Sequence, residues 1–224
     1  MQIKLFNKKQ GIYIFQLDEN NYIKFCPERG GVITNWVSEN NEIIYLDEKR
    51  FLDRGKSIRG GIPILFPICG NLNISNSLFG KKYLQLPQHG FARDLPWQYS
   101  LNKKEKSLCL VLQDSEITRK YYPFDFEVRI EVTLKINFLE FKIHIENKTN
   151  SEMPINFGLH PYFNISGFKN LEFFDYPLNC QDQKRNILIN TLEDLKNIHN
   201  GIDLLMYSSG KSSFRDNIFK RQVT

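Results

Sequence analysis

The chain has little that would cross-link it, anchor it or thread it through a membrane. Its 224 residues include 4 cysteines and 2 tryptophans. Cys26, Cys69, Cys109 and Cys180 stand far apart and make no CxxC pair, so neither a zinc ribbon nor a thioredoxin-like motif is signalled. Reduced, mostly buried thiols are expected. The opening residues MQIKLFNKKQ lack the apolar centre of a signal peptide, and no apolar run approaches the roughly 20 residues that a membrane helix needs. A cytoplasmic protein with no membrane partner is expected. There is no GxSxG elbow, no P-loop and no GxGxxG, so serine-hydrolase and nucleotide chemistry have no support. The formal charge of +5 is spread along the chain, with no basic run interleaved with aromatics. That distribution suits an anionic small molecule better than nucleic acid.

What the chain does have is aromatic and alternating. It carries 18 Phe and 10 Tyr, which favours strands, in an ordinary globular composition of 41% hydrophobic and 25% charged residues. In 126–136, FEVRIEVTLKI, Phe126, Val128, Ile130, Val132, Leu134 and Ile136 share one face, and Glu127, Arg129, Glu131, Thr133 and Lys135 the other. Residues 139–146 repeat the alternation after Asn137 and Phe138, which predicts a tight hairpin with one buried and one wet face. Shorter runs at 11–17, 21–26, 31–37, 42–46, 97–101, 107–113 and 153–159 also read as strands. Only 191–199, TLEDLKNIH, has a helical pattern, with Thr191 as its N-cap. The expected architecture is all-β, a large antiparallel β-sandwich formed by residues 1–224 as one domain.

Two stretches break this regularity. Residues 58–72, IRGGIPILFPICGNL, and 86–97, LPQHGFARDLPW, place Gly and Pro among apolar and hydrogen-bonding residues. Loops held on a rigid β scaffold are where binding groups tend to sit. Of the four histidines, His144 falls on the polar face of a strand and His199 at the end of the helical pattern, where a cation suits the helix dipole. His89 and His160 lie beside Gly or Pro with aromatics close by. Taken singly, each reads as a satisfied core histidine. Taken with Arg59, Gln88 and Arg93, they form a set of convergent polar groups such as a small polar ligand requires. Asp94 is an obvious ion-pair partner for Arg93. Neither histidine has a companion at metal-ligand spacing, so no metal and no cofactor is expected.

Four segments then carry a resemblance: RGGIPILFPICG at 59–70, LPQHGFARDLPW at 86–97, YPFDFEVRIEVTL at 122–134 and MPINFGLHPYF at 153–163. In order and content they resemble the aldose 1-epimerase (galactose mutarotase-like) superfamily, and most of all its glucose-6-phosphate 1-epimerase branch. The resemblance implies a β-supersandwich and a reaction that opens and recloses a sugar ring at its anomeric carbon. It implies that His160 is the acid that protonates the ring oxygen. His89 would bind or polarise the sugar, with Arg59, Gln88 and Arg93 as substrate contacts. The two arginines point to a phosphorylated hexose. Asp203, in GIDLLMY, corresponds to the family's sugar-binding acidic residue. The family's base, a glutamate followed by Pro-Trp in a C-terminal strand, has no counterpart: after His160 the only glutamates are Glu172 and Glu193. The expectation is a monomeric member that lacks the final strands and has weak or absent turnover. The alternative is a non-catalytic carbohydrate-binding domain of the same fold.

Overall fold

The computed structural model describes residues 1–71, 86–136 and 138–164, together with the backbone of three short strands further along. The chain divides into two compact units, one holding Met1–Asn164 and the other Ile165–Ile218. The expected Thr191–His199 helix, Asp203, Glu172 and Glu193 lie outside the described residues.

The first unit opens with a five-stranded antiparallel meander: β1 (Gln2–Asn7), β2 (Ile12–Gln16), β3 (Tyr22–Cys26), β4 (Val32–Ser38) and β5 (Asn41–Glu42). β1 lies at an edge of this sheet, with Leu5 and Phe6 exposed and a register shift between Leu5 and Asn7. This strand is absent from the pattern reading because its exposed apolar residues do not alternate. The expected strand at 42–46 is split. Beyond β5 only isolated pairings continue, Ile44 with Phe163 and Leu46 with Gly60. Then come a one-turn helix, α1 (Glu48–Leu52), N-capped by Asp47, and the two-residue strand β6 (Ile64–Leu65).

The second sheet follows the predicted alternation. β7 (Gln98–Asn102), β8 (Ser107–Gln113), β9 (Phe126–Leu134) and β10 (Leu139–Asn147) lie in the order β10-β9-β8-β7. A short helix, α2 (Glu116–Arg119), closed by a Ser115/Thr118 capping box, joins β8 to β9. The β9–β10 hairpin keeps full register from Leu139 opposite Leu134 to Asn147 opposite Phe126. Phe126, Val128, Ile130, Val132 and Leu134 are fully buried. Each such side chain contributes about 1.5–3 kcal/mol of apolar transfer. β10 departs from the expectation of a buried apolar face: Leu139 is buried, but Ile143 is 40% exposed. β10 ends the sheet, so that face is covered from one side only. Glu127, on the nominally wet face of β9, is buried because Gln113, Arg129 and Lys148 all donate to its carboxylate.

The two sheets touch through aromatic rings, Tyr99 of β7 lying 4.6 Å from Tyr13 and 5.5 Å from Phe25. The anticipated strand at 153–159 is reduced to β11 (Gly158–Leu159), which pairs with β6. Pro154 has no N–H to give a ladder, and its carbonyl accepts from the Tyr122 hydroxyl at 2.9 Å. In the second unit, β12 (Asn179–Asp182) pairs antiparallel with both β13 (Ile187–Ile189) and β14 (Leu204–Tyr207). The all-β, antiparallel class expected from the sequence is what the structure has.

Candidate functional site

The irregular segments form a layer whose hydrogen bonds are assigned one by one. The chain from 158 to 164 runs between two others. On one side, His160 N–H donates to Pro63 O at 3.0 Å and Tyr162 N–H to Gly61 O at 2.9 Å. On the other, Tyr45 N–H donates to Tyr162 O and Asn164 N–H to Ile43 O, both at 2.8 Å. Gly60 and Gly61 let the crossing chains come this close. A Cβ on Gly60, whose φ is +117, would lie 2.5 Å from Leu46 Cα.

The loop carrying Gln88 and His89 is bound to the same layer. Phe91 N–H and Ala92 N–H both donate to Phe66 O, beside the cis peptide Phe66–Pro67. Gly90, at φ +73, sits so close that a Cβ would lie 2.1 Å from Phe66 O. Beneath the crossing, Phe66 packs against Phe126 (5.1 Å), Tyr122 (5.9 Å) and Phe91 (6.0 Å). This aromatic cluster fastens the loops to β9, and such pairs add about 0.5–1.5 kcal/mol each beyond their burial.

The outcome is a facing pair of imidazoles. The rings of His89 and His160 lie 5.9 Å apart at 80°. Because side chains two apart on an extended chain share a face, Tyr162 stacks on His160 at 4.9 Å and 24°. His89 Nδ1 accepts from Gly70 N–H at 2.9 Å, and its backbone N–H donates to Gly70 O at 2.7 Å. Both histidines are half-buried, so the pair is neither core nor open surface.

The remaining predicted residues are placed less centrally. Arg93 donates through Nη2 to Gln88 O at 2.9 Å and lies 3.7 Å from Asp94, the local partner foreseen from the sequence. Gln88 is exposed. Arg59 is also exposed, and its carbonyl accepts from Asp47 N–H at 2.9 Å. His144 is exposed on β10, as expected. Cys26 and Cys109 are buried thiols with raised pKa, caused first by that burial, whereas Cys69 is exposed, contrary to the buried expectation. Among the described residues no three His, Cys, Asp or Glu side chains gather as a metal site would require.

Three contributors were not read from the sequence. For Tyr162 the signal in the sequence is its spacing of two from His160. Gly70 carries no sequence mark beyond being a glycine. Arg29 is buried; its guanidinium donates to Asp53 O and Lys56 O and lies over the Phe51 ring at 5.1 Å. Burial, and then the nearby Arg54 charge, lower its pKa. It holds the 53–56 loop that leads into Arg59.

Comparison with known proteins shows the family of the chain. The aldose 1-epimerase family profile matches residues 14–185. The chain belongs to the aldose 1-epimerase family. It is 34% identical over 151 residues to a Salmonella typhimurium protein named "Putative glucose-6-phosphate 1-epimerase", covering 64% of this chain and 46% of that one. A Cenchrus ciliaris protein of the same name is 31% identical over 173 residues, covering 70% of this chain and 49% of the relative. This epimerase-family chain thus spans about half the length of the curated relatives it matches. Among solved structures, the Slr1438 protein of Synechocystis is 36% identical with a TM-score of 0.65, covering 81% of this chain and 64% of that one. A galactose mutarotase related enzyme of Lactobacillus acidophilus is 27% identical with a TM-score of 0.57, covering 87% and 65%.

Proposed function

We propose that the His89–His160 layer binds an aldohexose or hexose 6-phosphate and supplies the acid half of anomer interconversion. The observation that carries this reading is the facing pair of half-buried imidazoles, 5.9 Å apart, inside the matched family region. In the reaction, His160 gives a proton to the ring oxygen as the bond from C1 to that oxygen breaks, while a base takes the proton of the C1 hydroxyl. The resulting aldehyde rotates about its C1–C2 bond and recloses, and the protons return. Histidine suits the acid role because its ordinary pKa lies near neutrality. Tyr162 orients the His160 ring by stacking on it. His89 is a sugar contact, with Gln88, Arg59 and Arg93 as further contacts. Arg93, tethered to Gln88 O, offers the phosphate of a phosphorylated sugar a cation on a fixed loop.

The group that serves as base is not assigned to any of the described residues. For these residues the reading is sugar binding with the acid in place. The same observation favours a second reading, a sugar-binding domain with no turnover at all. Anomer exchange of glucose 6-phosphate, followed by polarimetry or exchange NMR, tests both. A rate that His160→Ala abolishes supports the first, and no rate with retained sugar binding supports the second. A rate that His160→Ala leaves unchanged refutes the acid role of His160.

A further inference from the structure

We propose that Glu42 is a positioning residue: its carboxylate stands in for a ladder carbonyl beside β4, and this frees the Ile43 carbonyl to hold the segment that carries His160. The site half of this statement rests on the sugar-site reading above. The holding itself rests on the hydrogen bonds around Ile43.

β4 and β5 pair through Ser38 with Asn41 and Val37 with Glu42. In a regular antiparallel ladder Trp36 and Ile43 would come next and exchange both of their N–H···O bonds. One is made in the ordinary way, from Ile43 N–H to Trp36 O at 2.8 Å. The other is replaced. The Ile43 carbonyl accepts from Asn164 N–H, also at 2.8 Å. The N–H of buried Trp36 donates to Glu42 Oε1 at 3.1 Å. Asn35 Nδ2 donates to Oε2 of the same carboxylate at 2.9 Å, and Ile44 N–H donates to it as well. An ionised carboxylate is the side chain that meets several converging donors with acceptors alone. Burial pushes the Glu42 carboxyl up, and the bonds from Asn35, Trp36 and Ile44 and the Lys24 charge act against that.

The replacement lets 43–45 leave β4 and take hold of 162–164. Tyr45 N–H donates to Tyr162 O at 2.8 Å, Tyr162 N–H to Gly61 O at 2.9 Å and Gly61 N–H to Tyr45 O at 2.8 Å. This closed ring of bonds grips Tyr162 by both of its backbone groups. Tyr162 in turn stacks on the His160 ring. Without the Glu42 acceptor, Trp36 N–H would compete with Asn164 N–H for Ile43 O, and the ladder would extend along β4 at the expense of the site segment. Glu42 therefore acts through Ile43 and Tyr45 and not by contact with the ligand.

The test uses the full chain labelled with 15N. Amide exchange, the His160 and Tyr162 ring signals and glucose 6-phosphate binding are read in each variant. Glu42→Ala leaves Trp36 N–H to recapture Ile43 O. It should speed exchange at Tyr45 and Asn164 about tenfold, shift both ring signals and weaken glucose 6-phosphate binding about tenfold, the scale of one lost hydrogen bond. Amides of β9 and β10 should exchange as in wild type. Glu42→Gln keeps an acceptor for Trp36, and Asn35 can turn its amide to offer Oδ1 to the new N–H₂. Its exchange, ring signals and binding should lie closer to wild type than to the Ala variant. If the Ala variant does not fold, Glu42→Asp, one methylene short, takes its place with the same expectations. Tyr45 and Asn164 amides that exchange as in wild type overturn the proposal. Faster exchange spread evenly into β9 and β10, or a Gln variant as loose as the Ala one, does so too. A loosened Ala variant that binds glucose 6-phosphate like wild type overturns the positioning role. If amides and rings respond as stated while wild type binds no hexose or hexose phosphate, the sugar-site reading alone fails.

Discussion

The β7–β10 sheet and the layer made by 58–70, 86–97 and 158–164 are built on different rules within one unit. In the sheet, alternation decides which side chains are buried, and the ladder satisfies the backbone wholesale, as in the full register of β9 with β10. In the layer, Pro63, Pro67, Pro87 and Pro161 withhold donors, and Gly60, Gly61 and Gly90 permit approaches that a Cβ would block. Many of the other N–H groups find individually placed acceptors, such as Pro63 O for His160 and Phe66 O for Phe91 and Ala92 together. The lesson is that imidazoles can be aimed at each other where the backbone is individually placed. A regular strand would instead have sent them to alternating faces.

Phe66 is the joint between the two regions, so replacing it should have the largest effect. Phe66→Ala removes a fully buried ring that contacts Phe91, Tyr122 and Phe126. A loss of about 3–5 kcal/mol is expected, read as a lower denaturant midpoint with both regions unfolding together. Retained layer structure with a melted sheet would show that the two are not joined there. Gly90→Ala strikes the layer alone, since its Cβ would meet Phe66 O at 2.1 Å in a backbone with φ +73. It should cost more than about 1 kcal/mol. It should also separate the His89 and His160 ring signals from each other while β9–β10 amides stay protected.

A smaller effect should come from the wet side of the sheet. Hydrogen bonds from Arg129, then Gln113 and Lys148, hold the Glu127 carboxyl down at about 2. A depressed carboxylate stabilises the fold above its unfolded value, and that contribution fades as pH falls from roughly 4.3 toward 2. Glu127→Gln should flatten the loss of stability across that window, measured by denaturation at stepped pH. An unchanged slope would mean that the network is not coupled to folding. The smallest effect is expected at Ile143, 40% exposed on the edge strand β10. Ile143→Lys should change stability by no more than about 0.5 kcal/mol and reduce self-association through the open edge, read by sedimentation.

Legibility followed the same division. β8 occupies 107–113 as read, and β9 and β10 depart from the reading by two residues or fewer, because a period of two over nine residues has one plausible meaning. The half-exposed face of β10 was not legible, since alternation reports which residues share a face and not whether anything covers it. β1 escaped because Leu5 and Phe6 are adjacent, exposed apolar residues on an edge. In the layer, Gly-Pro punctuation marked the segments and the family resemblance named His89 and His160, but their separation of 71 positions hid the ring pair until the chain was folded. The tether of Arg93 to Gln88 O and the bond from Gly70 N–H to His89 Nδ1 depend on backbone crossings that no local pattern encodes.

The central claim is that the irregular layer is one sugar site built around two imidazoles. The most direct measurement follows the ring signals of His89 and His160 while the full chain is titrated with glucose and, separately, with glucose 6-phosphate. The account predicts that both rings shift together along one saturating curve, and that the phosphorylated sugar saturates at lower concentration. Neither ring moving, or one moving without the other, would contradict it.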